Sequence, residues 1–202
     1  IRDRSKDIKI MTKFLNTKKN FYEAKDINLW ENNFQKSLNN LQTHRIDSFL
    51  IHNTKDLKNK GKEILEEWLD SLIERKLVTR LGISIYSSSD LDNISLKRFS
   101  LIQMPISLYD QRLIRNKTCQ ELFNKDISIH ARSIFFQGLL FSNYKKWPKV
   151  ISGKFKSHHF RLLNQLNKES ILELTLNFIN SYKFIESALI GVTSIKELKQ
   201  II

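Results

Sequence analysis

The chain has 202 residues, 41% of them hydrophobic, and a formal net charge of +13, which allows one globular domain, residues 1–202, with a sizeable core. No stretch reaches the ~18 apolar residues that a membrane helix requires, and the single cysteine excludes a disulfide framework, which favours a cytoplasmic location. The basic residues are dispersed and not interleaved with aromatic ones, so nucleic-acid binding is not predicted.

Short β-rich runs alternate with helical segments along the sequence. Strands are predicted at residues 8–13, 46–52, 79–85, 100–104, 127–134 and 185–190. Apolar residues at three-and-four spacing predict helices at residues 26–42, 61–77, 110–125, 168–182 and from Ser194 onward. Strands that are joined by helical crossovers must run parallel. The predicted fold class is therefore α/β with a parallel sheet.

Six such strands predict an incomplete (β/α)8 TIM barrel. An open sheet would leave two bare edges, whereas eight strands close a barrel, and 202 residues fall short of the ~250 typical of that fold. We therefore expect two further strands upstream of Ile1. The long segment 138–167 is expected to cover the barrel mouth or, equally, to form a mobile surface loop. The last strand, 185–190, is expected to be buried.

Glycine and histidine spacing limits the possible chemistry. The five glycines lie too far apart to form a phosphate-binding loop of the Rossmann or Walker type. The five histidines show no metal-ligand spacing, so no metal site is predicted, and the adjacent His158 and His159 are expected to be solvated. No G-x-S-x-G motif supports a serine hydrolase. A dinucleotide, if one binds, must be held by another architecture.

Two of the predicted strands end in side chains suited to catalysis. Lys13 ends the first strand and His52 ends the second. The carboxyl ends of parallel strands meet at one edge, and barrel enzymes carry their active sites there. On residue type alone, Lys13 could instead be a solvated lysine of a Lys-rich chain, and His52 a hydrogen-bonded core histidine.

Several segments, in their order and spacing, resemble the aldo-keto reductase family. They are Ile10–Lys13, Arg45–Asn53, Trp68–Ser84, Leu101–Pro105, Gln137–Leu140 and Ala188–Gly191. The resemblance covers nearly the whole chain. It implies a barrel that binds NADP(H) or NAD(H) without a Rossmann domain and transfers a hydride between that cofactor and a small-molecule carbonyl or alcohol.

The resemblance also implies roles for individual residues. Lys13 matches the lysine that favours the phenolate of the family's acid tyrosine, and His52 matches the histidine that orients the carbonyl oxygen. Cofactor-binding positions are matched by Ser84 and Gln103 (nicotinamide carboxamide), Arg132 (beneath the ring, by stacking or by binding an anion), Ser133 and Gln137 (pyrophosphate), and Gly191 and Thr193 (adenosine phosphate).

The chain departs from the family pattern at some of these positions. Ile85 stands where an asparagine usually follows the serine, and only Lys196 is a candidate for the basic residue that marks NADPH preference. The choice between NADPH and NADH is therefore open. The acid tyrosine and its aspartate partner are expected upstream of Ile1, because the tyrosines of this chain occupy other elements. The chain as given is expected not to run the full reaction.

Two other functions are compatible with the sequence. A non-catalytic barrel that binds a nucleotide, as a regulatory or interaction subunit, would account for the missing acid and for Ile85 and Arg132. A different barrel enzyme with phosphate-binding loops after its last strands is a weaker alternative, because glycine is scarce there. The sequence leaves the oligomeric state open.

Overall fold

The computed structural model describes residues 8–15, 17–143, 145, 147–151, 153–166 and 168–201. Its strands are β1 (Met11–Phe14), β2 (Ile46–Ile51), β3 (Val78–Ser84), β4 (Leu101–Pro105), β5 (Ser128–Arg132) and β6 (Ile185–Ala188). Its α-helices are α1 (Asp26–Asn40), α2 (Lys62–Glu74), α3 (Arg112–Arg115), α4 (Thr118–Phe123), α5 (Gly153–Gln165), α6 (Lys168–Asn180) and α7 (Ile195–Ile201). The alternation confirms the predicted α/β class.

The strands belong to one six-stranded sheet and follow one another from β1 to β6. Parallel pairing joins β1 to β2, β2 to β3, β3 to β4, and β5 to β6. Parallel neighbours require a crossover connection, and helical segments supply it here. The predicted parallel arrangement is therefore confirmed.

The chain divides into two compact units. The first comprises residues 1–103 and 125–127, and the second comprises residues 104–124 and 128–202. Strands β1 to β3 and helices α1 and α2 belong to the first unit, and strands β5 and β6 with helices α3 to α7 belong to the second. A single domain spanning residues 1–202 stays a prediction.

An aromatic cluster fills the helix-facing side of the strands in the first unit. Phe14 and Phe49 from the strands meet Trp30 and Phe34 of α1 and Trp68 of α2, with ring centroids 5.1 to 6.4 Å apart. All five side chains are buried. Burying a large apolar side chain contributes about 1.5–3 kcal/mol to the stability of a fold. This cluster therefore stabilises the packing of α1 and α2 against the sheet.

A different set of side chains occupies the opposite face of the same strands. Lys13 is in register with Leu50, and Leu50 with Gly82. Side chains alternate along a strand, so these residues face away from the aromatic cluster formed by their neighbours. A Cβ at Gly82 would lie 2.7 Å from the Leu101 carbonyl oxygen and 3.0 Å from Leu50 Cγ. Only glycine fits this position without displacing the neighbouring strands.

The helix predicted at residues 110–125 is instead two short helices, α3 and α4. Lys117, between them, has a φ of +66°, a left-handed conformation that interrupts a helix. The Asn116 side chain accepts hydrogen bonds from the Thr118 N–H (3.2 Å) and hydroxyl (2.8 Å). Such local bonds compete with helical ones, so the prediction of one helix is wrong.

The segment 138–167 contains α5, a helix that sequence reasoning missed. His159 of this helix is fully buried, whereas His158 is exposed. Adjacent residues of a helix point in different directions, so the prediction that both are solvated is wrong for His159. The alternative of a surface loop is wrong for residues 153–165, and a position over the barrel mouth stays a prediction.

The last strand, β6, is less buried than predicted. Ile185 and Ala188 are partly exposed, and the two residues between them are exposed. Among the described strands, β6 pairs with β5 alone because it lies at the end of the strand order. The prediction of a buried last strand is therefore wrong.

Candidate functional site

The ammonium of Lys13 bridges two strands that are not neighbours. Lys13, in β1, donates a hydrogen bond of 2.7 Å to the amide oxygen of Gln103, in β4. In a flat sheet β1 and β4 would lie about 14 Å apart, three spacings of roughly 4.8 Å, and their side chains would stand side by side without meeting. The contact therefore requires the sheet of the first unit to be curved, with this face on the concave side.

Gln103 is fully buried, and its amide is oriented by its contacts. Its Oε1 accepts from Lys13, while its Nε2 lies 3.4 Å from the sulfur of Met11, a weak acceptor. Ser84, which is also buried, is in register with Gln103 on the neighbouring strand. A hydroxyl and a primary amide side by side supply donors and an acceptor, the groups that recognise a planar carboxamide.

His52 follows the end of β2 and is exposed. It lies two residues beyond Leu50, the register partner of Lys13. The backbone bends at His52, immediately after the last residue of β2. Lys13 and His52 thus lie at the carboxyl ends of neighbouring parallel strands, at the same edge of the sheet.

Asp56, four residues after His52, forms a buried pair with Tyr22, and sequence reasoning missed this pair. The Tyr22 hydroxyl donates to Asp56 Oδ1 at 2.7 Å, and the Thr17 hydroxyl donates to the same oxygen at 3.4 Å. Burial raises the pKa of the Asp56 carboxyl, although these hydrogen bonds and the charge of His52 oppose the rise. Burial likewise raises the pKa of Tyr22. The only sequence signal was a carboxylate four residues after His52.

In the second unit, Arg132 ends β5, and two other predicted residues, Ser133 and Gln137, follow it in a distorted segment that also contains Gly138. Ser133 has a φ of +59°, Gln137 of +56° and Gly138 of +80°. Arg132 and Ser133 are partly exposed and Gln137 is exposed. Left-handed non-glycine residues store strain, and they cluster at ligand-binding loops.

The two remaining predicted residues, Gly191 and Thr193, follow β6 and are exposed. Both the N–H and the hydroxyl of Thr193 donate to the carboxylate of Glu197 in α7, at 2.6 and 2.9 Å. The Thr193 N–H, and then its hydroxyl, hold the pKa of the Glu197 carboxyl below its usual range. A carboxylate therefore already occupies donors that the resemblance assigned to the adenosine phosphate.

The second unit also contains a tyrosine–histidine pair that the sequence did not reveal. The Tyr109 hydroxyl lies 2.9 Å from Nδ1 of His159, and Trp147 stacks on His159 with ring centroids 4.5 Å apart. Burial raises the pKa of Tyr109 and lowers that of His159. The pair ties α5 to the segment that follows β4. Its members are 50 residues apart, so no local pattern marks them.

Two kinds of feature are absent from the residues that the structure describes. No group of three or more His, Cys, Asp or Glu side chains in this part of the chain could hold a metal ion. None of the described helices combines the length and the apolar character needed to cross a membrane.

Comparisons with known proteins identify a family and a fold. A family model described as the Aldo/keto reductase family matches residues 1–202. No curated protein matches the chain significantly. Among solved structures, the chain is similar to the holo form of aldo-keto reductase AKR11C1 from Bacillus halodurans, with a TM-score of 0.76 and 21% identity over 99% of this chain and 67% of that one.

Other solved structures show the same fold. The apo form of AKR11C1 from Bacillus halodurans has a TM-score of 0.69 and 20% identity over 99% of this chain and 66% of that one. An aldo-keto reductase from Pseudomonas aeruginosa has a TM-score of 0.64 and 12% identity over 99% of this chain and 68% of that one. This chain spans about two thirds of their length. The likeness confirms the predicted (β/α)8 barrel fold, of which the described residues contain six strands.

Proposed function

This chain belongs to the aldo/keto reductase family, a family of oxidoreductases, and we propose that it binds a nicotinamide dinucleotide and contributes Lys13 and His52 to carbonyl reduction. The observation that carries the proposal is the hydrogen bond of 2.7 Å between Lys13 and Gln103 on the concave face of the sheet. His52 follows the end of the neighbouring strand, β2, at the same edge of the sheet.

The residues present fit the nicotinamide end of such a cofactor. The Ser84 hydroxyl and the Gln103 Nε2 are buried and adjacent, so they would hold the carboxamide. The cofactor would supply a hydride from C4 of its ring. Arg132 would stack its guanidinium plane on the ring or bind an anionic group. Ser133 and Gln137, in the distorted segment after β5, would hold the pyrophosphate.

Lys13 and His52 would act on the oxygen of the carbonyl substrate. That oxygen gains negative charge during reduction, and fixed donors that face developing charge stabilise a transition state. The His52 N–H would donate to the oxygen, and the Lys13 ammonium would favour the anionic form of the oxygen or of a phenol beside it. Tyr22 and Tyr109 are unsuited to donate the proton, because burial raises the pKa of each.

Cofactor choice would be set by Glu197. Its carboxylate accepts the hydrogen bonds of Thr193, and a second anion at the same donors would be repelled. We therefore propose that the chain prefers NADH, which lacks the extra phosphate of NADPH.

Two measurements test this function. Titration with NADH, NADPH and ADP-ribose, followed by cofactor fluorescence or calorimetry, is expected to show saturable binding of NADH. Turnover of carbonyl compounds is then compared among wild type, Lys13→Met and His52→Ala. Each variant is expected to lower any turnover about 10²-fold or more while leaving NADH binding within a few-fold, because general acid–base groups contribute roughly 10² to 10⁴ in rate.

The matched control is Lys9→Met, since Lys9 is an exposed lysine just before the same strand. It is expected to behave as wild type. Absence of NADH and NADPH binding would refute the proposal. Tight binding with turnover that does not depend on Lys13 would refute the catalytic assignment alone.

A further inference from the structure

The hydrogen bond between Lys13 and Gln103 has a direction that chemistry alone fixes. An ammonium can only donate, so the atom facing it must be the amide oxygen of Gln103. The amide nitrogen must then point the other way, toward the sulfur of Met11 at 3.4 Å. Gln103 therefore has no freedom to exchange its oxygen and nitrogen while the contact with Lys13 lasts.

The two partners differ in how firmly the fold holds them. Gln103 is fully buried in β4, and its neighbours Ile102 and Met104 are fully buried as well. Lys13 lies in a four-residue strand that pairs only with β2 among the described strands, and its side chain is long and partly buried. The rigid partner therefore restrains the flexible one, because a buried amide oxygen that loses its donor is left unsatisfied.

We propose that Gln103 is a positioning residue, whose amide oxygen holds the Lys13 ammonium against the concave face. The long lysine stem has many rotamers, and the contact with Gln103 selects one that directs the ammonium toward that face. The effect on hydride transfer rests on the proposed function, whereas the restraint on Lys13 does not.

The restraint is measured by the chemical reactivity of Lys13. The folded chain is treated with a limiting amount of an amine acylating reagent, and the rate at each lysine is read by peptide mass spectrometry. Gln103→Met removes the acceptor at similar volume and is expected to raise the rate at Lys13 at least threefold. Gln103→Glu keeps an acceptor of the same reach and is expected to restore the rate to the wild-type value or below.

Three controls accompany the measurement. Lys9, exposed and near the same strand, is expected to react at an unchanged rate in every variant. Ser84→Ala alters the neighbouring position on β3 and is expected to leave the rate at Lys13 unchanged. Gln103→Asn keeps the amide but shortens the side chain, and it is expected to raise the acylation rate at Lys13. If circular dichroism shows that Gln103→Met is unfolded, Gln103→Asn replaces it in the test.

The outcomes distinguish a failure of the positioning role of Gln103 from a failure of the proposed function. An unchanged rate at Lys13 in both Gln103→Met and Gln103→Asn overturns the inference. If these variants weaken NADH binding but not ADP-ribose binding while the rate at Lys13 stays constant, Gln103 serves the cofactor alone, and the inference is again overturned. If wild type binds no dinucleotide, the proposed function fails, and the acylation rates still decide whether Gln103 restrains Lys13.

Discussion

Gly82 shows how one absent side chain shapes the face that carries Lys13. A Cβ there would meet the Leu101 carbonyl oxygen at 2.7 Å and Leu50 Cγ at 3.0 Å. We expect Gly82→Ala to destabilise the fold by about 1–3 kcal/mol, the usual cost of overpacking a well-packed core. Urea unfolding followed by circular dichroism measures this change.

Gly153 provides the matched control for Gly82. It is the first residue of α5, and a Cβ there would have no heavy atom within 4 Å. Alanine is favoured over glycine in a helix by up to ~1 kcal/mol, so Gly153→Ala is expected to be neutral or slightly stabilising. Equal losses of stability in both variants would contradict the steric argument, because backbone freedom would then explain both.

Glu197 provides a residue-level test of cofactor choice. Neutralising it in Glu197→Gln removes the charge that competes at Thr193 while keeping the side-chain length. We expect the ratio of NADPH to NADH affinity to rise several-fold, measured by calorimetric titration of both cofactors. Glu173→Gln, a change to another exposed glutamate of the second unit, is the control. An unchanged ratio in Glu197→Gln would remove Glu197 from the account of cofactor choice.

Glu31 links helices α1 and α2. Its carboxylate accepts two hydrogen bonds from the Arg75 guanidinium, at 3.0 and 2.9 Å, and one from Trp68 Nε1 at 3.0 Å. The Arg75 guanidinium is the main reason that the pKa of Glu31 falls from 4.5 to about 2. A carboxyl whose pKa is lower in the folded state stabilises the fold above its unfolded pKa.

This stabilisation should therefore be lost as the pH falls from 4.5 toward about 2. Near neutral pH, Glu31→Gln is expected to cost about 1–2 kcal/mol, since solvent screens a partly exposed ion pair. The gap between wild type and Glu31→Gln, measured by urea unfolding across this range, should close at the acid end. Glu63→Gln, at an exposed site of α2, should show no such gap. A gap that stays constant with pH would contradict the assignment.

The helices and strands that sequence reasoning located correctly have strong periodic patterns. The apolar residues at three-and-four spacing that predicted α1 include Trp30 and Phe34, which are buried against the sheet. The break at Lys117 escaped prediction because it depends on a local bond between Asn116 and Thr118. Helix α5 escaped because its burial depends on partners elsewhere in the chain, such as Tyr109.

The part of the candidate site that lies at the ends of strands was predictable from the sequence. Lys13 and His52 end apolar runs, and the pairing of β1 with β2 brings those ends to one edge, as expected for parallel strands. The contact between Lys13 and Gln103 was not predictable, because 90 residues separate them and their approach depends on the curvature of the sheet. The roles assigned to these residues stay predictions.

Burial is uneven along the chain, so the free energy of local opening should also differ from one segment to another. Strand β2 pairs with a neighbour on each side. Its last four residues, Ser48 to Ile51, are all buried. In contrast, β6 is mostly exposed, and α7 has no buried residue in its described part. Segments with few buried apolar contacts open locally without global unfolding. Strand β2 should therefore need a larger free energy to expose its amides than β6 or α7.

Native-state hydrogen exchange tests this difference. Amides of β2 and β3 are expected to exchange at least about 10²-fold more slowly than those of β6 and α7, because only global unfolding exposes the former. Phe49→Ala, which removes a buried ring at a cost of about 3–5 kcal/mol, should accelerate exchange in β2 and β3 and leave α7 unchanged. Leu198→Ala, on the exposed side of α7, should do neither. Equal acceleration of α7 by Phe49→Ala would show that the chain opens as one cooperative body, against the burial pattern.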